Sequence, residues 1–98
     1  MPRSRIERIR EKIRLRQYDM SAHAMEEMAE DGLDIEDAER AILQGSIVRI
    51  ERDDPRGTKY VVQGLAIDDV TLVGVVGRFT SSEQYLIITI YEVTEPEE

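Results

Sequence analysis

The chain has no cysteine, no tryptophan, one histidine, one phenylalanine and three prolines among its 98 residues. Without cysteine there are no disulfides, no thiolate nucleophile and no cysteine-ligated zinc, and one imidazole leaves a transition-metal site short of its preferred ligands. Long apolar runs are also missing. No stretch of about 18 apolar residues offers a membrane span, and no short apolar segment behind a basic start reads as a signal peptide. The expectation is a cytoplasmic protein with no membrane contact, no metal and no cofactor. Walker loops, dinucleotide fingerprints, nucleophile elbows, HExxH and EF-hand patterns are absent too, so energy-coupled and nucleotide-cofactor chemistry has no support.

What is present suits one globular domain over residues 1–98, since 41% of the residues are hydrophobic and 35% are charged. The net charge of −8 argues against sequence-blind binding to nucleic acid, where phosphate neutralisation dominates affinity. The charge is uneven. Residues 1–16 hold seven basic and two acidic side chains, a balance of +5, whereas the other 82 residues hold six basic and nineteen acidic, a balance of −13. Such a segment reads either as a solvated helix lying against acidic neighbours or as a detachable arm that contacts a partner.

Ile6, Ile9, Ile13 and Leu15 recur at helical spacing and predict a half-buried amphipathic helix over residues 3–16. Ser21 stands at an N-cap position and Gly32 at a left-handed stop, which frames a second helix over about 22–31. A third follows Asp34, with Glu36 and Asp37 at the positive end of its dipole and Gly45 at its close. Beyond residue 46 the period becomes alternating. Runs at 47–52, 58–67, 70–79 and 85–93, separated by short turn-forming segments, predict four antiparallel strands. The fold class is therefore α+β: two to three N-terminal helices on one face of a four-stranded antiparallel meander, with residues 94–98 a frayed acidic tail.

Hairpin register then assigns faces. A two-residue turn at Asp68-Asp69 sets Leu65 against Leu72, Gln63 against Gly74, Val61 against Val76 and Lys59 against Arg78. An even-length loop after Phe79 puts Tyr85, Ile87, Thr89 and Tyr91 on that same face, with Leu86, Ile88 and Ile90 beneath the helices. The mixed face would carry Lys59, Gln63, Arg78, Tyr85, Thr89 and Tyr91, donors and cations without a carboxylate, which suits an anionic ligand better than a metal ion. An ordinary solvated sheet face or a homodimer interface fits the same composition. Gly74 and Gly77 suggest a bulge or a close approach. His23, with Glu26 and Glu27 one turn on, suits either proton transfer or a structural tie to a carboxylate.

The segments Tyr18-Asp-Met-Ser21-Ala-His23-Ala-Met-Glu-Glu-Met28, Gly32-Leu33-Asp34-Ile35, Ile42-Leu43-Gln44-Gly45 and Ile87-Ile88-Thr89-Ile90-Tyr91 resemble the bacterial family known as domain of unknown function 4258, over about Ile6 to Val93. That family is similar to the RelE/ParE and BrnT-like toxins. The resemblance implies a RelE-like fold, a toxin neutralised by a zinc-finger-type antitoxin partner, and RNA cleaved without metal by basic and tyrosine side chains on the open sheet face. His23, Thr89 and Tyr91 match family positions, while Glu27 and Asp31 stand where many relatives carry arginine.

Two functions follow as expectations. In the first, a toxin-type endoribonuclease, Tyr91 or His23 moves the proton, Arg78 and Lys59 stabilise charge on the phosphorane, and Gln63, Tyr85 and Thr89 hold the RNA. The alternative is a non-catalytic protein-binding module on the same scaffold. A homodimer through the open sheet face is compatible with either.

Overall fold

Ser4 opens the first helix, its hydroxyl accepting the Glu7 N–H at 3.3 Å, and the computed structural model describes residues 4–94 from that point. In chain order the elements are α1 (Arg5–Arg14), β1 (Tyr18–Met20), α2 (Ala22–Glu30), α3 (Ile35–Gln44), β2 (Ser46–Glu51), β3 (Lys59–Leu65), β4 (Leu72–Phe79) and β5 (Tyr85–Glu92). The expected α+β class and the three helices are present. The expected four-stranded antiparallel sheet is corrected to five strands in the order β1-β5-β4-β3-β2, with β1 parallel to β5. Three residues are too few to show an alternation, and a parallel edge pairing is invisible to local pattern. The fraying expected of Glu95-Pro96-Glu97-Glu98 lies outside the described residues.

The helices cover one face of the sheet. Ile9 and Ile13 of α1 and Ala38, Ala41 and Ile42 of α3 are buried against Tyr60, Val62, Val73, Val75, Tyr85, Ile87 and Ile90. α3 rests so closely on β3 that a Cβ at Gly64 would collide with the backbone carbonyl of Ala41. Only glycine permits that approach, which brings two layers near enough to exclude water. Gly32, at φ +67°, makes the left-handed turn foreseen for it.

α1 is an integral part of this layer and not a detachable arm. Arg10 donates to the Ile42 and Gly45 carbonyls at 3.3 and 2.7 Å, so a cation satisfies the C-terminal end of α3. Arg8 lies 4.5 Å from the Phe79 ring centroid, and Lys12 donates to the Glu83 carbonyl at 2.6 Å. Much of the +5 balance of the N-terminal segment is spent on holding the fold together. None of the described helices is long and apolar enough to cross a membrane.

Candidate functional site

The β3–β4 register is the one the turn predicts: Val61 faces Val76, Gln63 faces Gly74 and Leu65 faces Leu72. Lys59 and Arg78 adjoin the last pair of that ladder, Tyr60 and Gly77, on the face away from the helices. The Ala66–Thr71 turn is fixed by Asp68, whose carboxylate accepts the Val70 and Thr71 N–H groups and the Thr71 hydroxyl. These bonds, the Thr71 hydroxyl first, hold the Asp68 carboxyl below its ordinary pKa.

The β4–β5 register differs from expectation in two places. Phe79 pairs with Tyr85 across a five-residue loop, 80–84, closed by the Thr80 N–H donating to the Gln84 carbonyl at 2.8 Å. An odd loop reverses the parity assumed for it. Three residues on, the register shifts: Gly77 opposes Ile87 while Val76 opposes Thr89, leaving Ile88 as the extra residue of a bulge. The bulge reverses the parity again. Thr89 and Tyr91 therefore do share the open face with Val76 and Gly74, whereas Tyr85 and Ile87 lie under the helices, each 0% exposed.

Tyr85 is thus withdrawn from the candidate face. Its ring packs edge-on to Phe79 with centroids 5.2 Å apart, and Phe79 meets Tyr60 in the same manner at 5.9 Å. The Tyr85 hydroxyl is buried with no hydrogen-bond partner among the described residues, and burial pushes its pKa up. The two glycines of β4 serve two rings on opposite faces: a Cβ at Gly77 would strike the Tyr85 ring, and one at Gly74 would strike that of Tyr91.

The open face is built in rows about 7 Å apart along the strands. The first contains Glu51, Lys59, Arg78 and Leu86, the second Arg49, Val61, Val76 and Thr89, and the third Ser46, Gln63, Gly74 and Tyr91. Lys59 and Arg78 are together, and Gln63 and Tyr91 are together, with Thr89 between the two groups. Val61 is only 2% exposed even here. Arg49 was missed in the sequence because a second bulge, at Val48 in β2, conceals its parity.

Charge on this face is partly compensated. Lys59 Nζ lies 3.6 Å from Glu51 Oε1 and 3.5 Å from Asp54 Oδ2, and Arg49 Nε lies 3.2 Å from Glu51 Oε2. Asp54 also anchors the β2–β3 loop: it accepts the Arg56 N–H at 2.8 Å, and this bond, then the Arg56 side chain and Lys59, hold its carboxyl down at about 2. Arg78 makes one long contact, 3.5 Å from Nη1 to the Arg56 carbonyl.

His23 stands apart from these rows, on α2 beside the β5 edge. Its Nε2 is 3.3 Å from Glu27 Oε1, and its side chain is 65% exposed. The same Glu27 oxygen accepts the Ile90 N–H at 3.2 Å, and Asp31 accepts the Glu92 N–H at 3.2 Å. Ser21 caps α2 through the Ala24 N–H at 3.0 Å and donates to the Ile88 carbonyl at 2.8 Å. The acidic departures at Glu27 and Asp31 therefore have a structural use: past the end of β1 they satisfy strand amides that no sixth strand covers. Among the described residues no cluster of carboxylates and imidazole is arranged to hold a metal ion.

No curated protein and no solved structure matches the chain. The family described as "Domain of unknown function (DUF4258)" matches residues 20–92, the span that carries α2, α3 and the four antiparallel strands, and the chain belongs to that family.

Proposed function

We propose that the chain is a toxin-like protein of a toxin–antitoxin module, a metal-independent endoribonuclease that works through the open sheet face. The observation that carries this reading is the position of Lys59 and Arg78 on one side of the Thr89 row and of Gln63 and Tyr91 on the other, on a face that none of the described helices covers. A phosphate seated over Thr89 lies about 7 Å from each flanking row, within reach of an arginine from one side and a tyrosine from the other. Attack of the ribose 2′-oxygen on that phosphorus forms a 2′,3′-cyclic phosphate and breaks the bond to the 5′-oxygen. A base takes the 2′ proton and an acid returns one to the departing oxygen.

Arg78 and Lys59 stabilise the phosphorane, Tyr91 moves a proton, and Thr89 and Gln63 orient the backbone. To serve, Arg78 leaves its long contact with the Arg56 carbonyl, and Tyr91 swings off Gly74. His23, on the β5 edge, contributes only to an RNA that crosses that edge. The RelE-like scaffold belongs to this proposal, supported by helices on one sheet face and an open cationic other. The test is tightly controlled induction in a bacterial host of the wild type and an Arg78→Ala, Tyr91→Phe double variant. Growth arrest and RNA cleavage from the wild type alone are expected; intact RNA and normal growth from both, with folded protein, overturn the reading.

One observation favours a second reading, a non-catalytic protein-binding module on this scaffold. Lys59 and Arg49 are already paired with carboxylates, in a chain of net charge −8. A zinc-finger-type antitoxin co-expressed with the chain then stays bound, and RNA stays intact whichever variant is induced.

A further inference from the structure

The open face changes character towards the β3–β4 turn. Past the row of Gln63, Gly74 and Tyr91 the next row is aliphatic: Leu65 pairs with Leu72, and the Val93 N–H donates to the Leu72 carbonyl at 2.8 Å. Ile67 and Val70 follow within the turn. Leu65, Ile67 and Val70 are 40%, 51% and 80% exposed, three of the six large apolar side chains that the described residues leave open to solvent. Exposed apolar side chains scattered singly need no explanation, but a group gathered at one end of a face that none of the described helices covers marks a docking surface.

A groove of about 360 Å³ adjoins this patch at Ile67, which lines it together with Leu33 and Ala66. Five carboxylates surround it: Asp31 at the end of α2, Asp34 and Asp37 at the start of α3, Asp68 in the β3–β4 turn and Glu92 at the end of β5. No lysine or arginine lines it. Arg40 reaches the same turn but ion-pairs with Asp69 at 3.0 Å. Backbone N–H groups hold the carboxylates in place: Glu92 donates to Asp31, Asp34 and Ile67 donate to Asp37, and Val70 and Thr71 donate to Asp68. Such bonds cancel no net charge, and none of the five has an ion-pair partner among the described residues. Nor are they arranged to hold a metal ion.

We propose that this end of the molecule docks a basic amphipathic segment of a partner polypeptide. Aliphatic side chains of the segment cover Leu65, Ile67, Val70, Leu72 and Val93, and its lysines and arginines reach the carboxylates around the groove. The patch calls for apolar area, and the uncompensated rim sets the charge of what supplies it. Nucleic acid and anionic surfaces are repelled by the same carboxylates. A second copy of this chain offers equal apolar area but brings a like-charged rim and a further net charge of −8. The proposal stands apart from the ribonuclease reading, which rests on the cationic rows towards the other end of the face, and either can fail alone.

The test pans a phage-displayed library of random dodecapeptides against the full chain and titrates the enriched sequences, as synthetic peptides, into isotope-labelled protein. The enriched peptides are expected to combine aliphatic or aromatic residues with lysine or arginine. They should shift the amide resonances of residues 65–72 and 31–37 and bind more weakly as salt rises. Val70→Ser and Glu92→Lys are changes at exposed positions whose fold the amide spectrum checks. Together they should weaken binding about ten-fold or more. The proposal is overturned if nothing enriches, if the enriched peptides lack basic residues, bind elsewhere or bind the double variant equally, or if sedimentation shows a concentration-dependent dimer that protects the amides of this turn.

Discussion

Replacing Tyr85 by phenylalanine removes one oxygen from a position that is 0% exposed and where the hydroxyl has no partner. In the unfolded chain that hydroxyl is hydrated, so folding forfeits its hydrogen bonds and regains none, a penalty of about 1–3 kcal/mol. The ring contacts with Phe79 and with the backbone at Gly77 are kept in the variant. Tyr85→Phe should therefore stabilise the fold by about 1 kcal/mol, which in a domain of this size raises Tm by roughly 4–8 °C. Thermal unfolding followed by circular dichroism checks it. A fall in Tm of similar size would show that the hydroxyl is hydrogen-bonded, and an unchanged Tm would fit an exposed tyrosine; either refutes the burial argument.

The same variant has an alkaline signature. Burial raises the folded pKa of Tyr85 above its ordinary value of 10.0, so its contribution is intact below about pH 10 and is lost as pH rises, with a slope approaching ~1.4 kcal/mol per pH unit. Tyr85→Phe should flatten that loss. The part due to Tyr18 should remain, since burial and its 2.6 Å bond to Glu39 raise that phenol too.

Three further outcomes are expected. Ser21→Ala removes both the α2 cap and the bond to the Ile88 carbonyl and should cost about 1–2 kcal/mol in urea unfolding; a change under a few tenths contradicts the double role. Gly64→Ala forces α3 off β3 and should destabilise by about 1–3 kcal/mol, the usual cost of overpacking, or prevent folding; a neutral result contradicts the close approach. The Asp54 carboxyl, held down at about 2, should keep its contribution to loop order above about pH 4 and lose it as pH falls towards 2. A carboxyl-carbon titration with a midpoint near the ordinary 3.8 contradicts the anchoring.

How much of this was legible in the sequence depends on the range of the signal. Caps and periodicity are local, so Ser21, Gly32 and the three helices were readable, with ends within a few residues of those observed. The β3–β4 register was readable because the turn is short and sets it. The faces of β5 were not read correctly: the run ends at 79 and 85 already leave an odd loop of five residues, 80–84, where an even one was assumed, and the bulge at Ile88 has no signature in composition. The two reversals cancel at Thr89 and Tyr91, which therefore stand on the expected face, and fail to cancel at Tyr85, which lies between them. Glu27 and Asp31 read as lost cations in the sequence. Only the β5 edge reveals what they bond.

The most direct test of the open face as a ribonuclease site is incubation of the purified chain with single-stranded RNA in excess EDTA, with the product ends identified by mass spectrometry. The account predicts 2′,3′-cyclic phosphate ends from the wild type and a rate lower on the order of 10²-fold for Arg78→Ala. Intact RNA, or cleavage at an equal rate by wild type and variant, contradicts it.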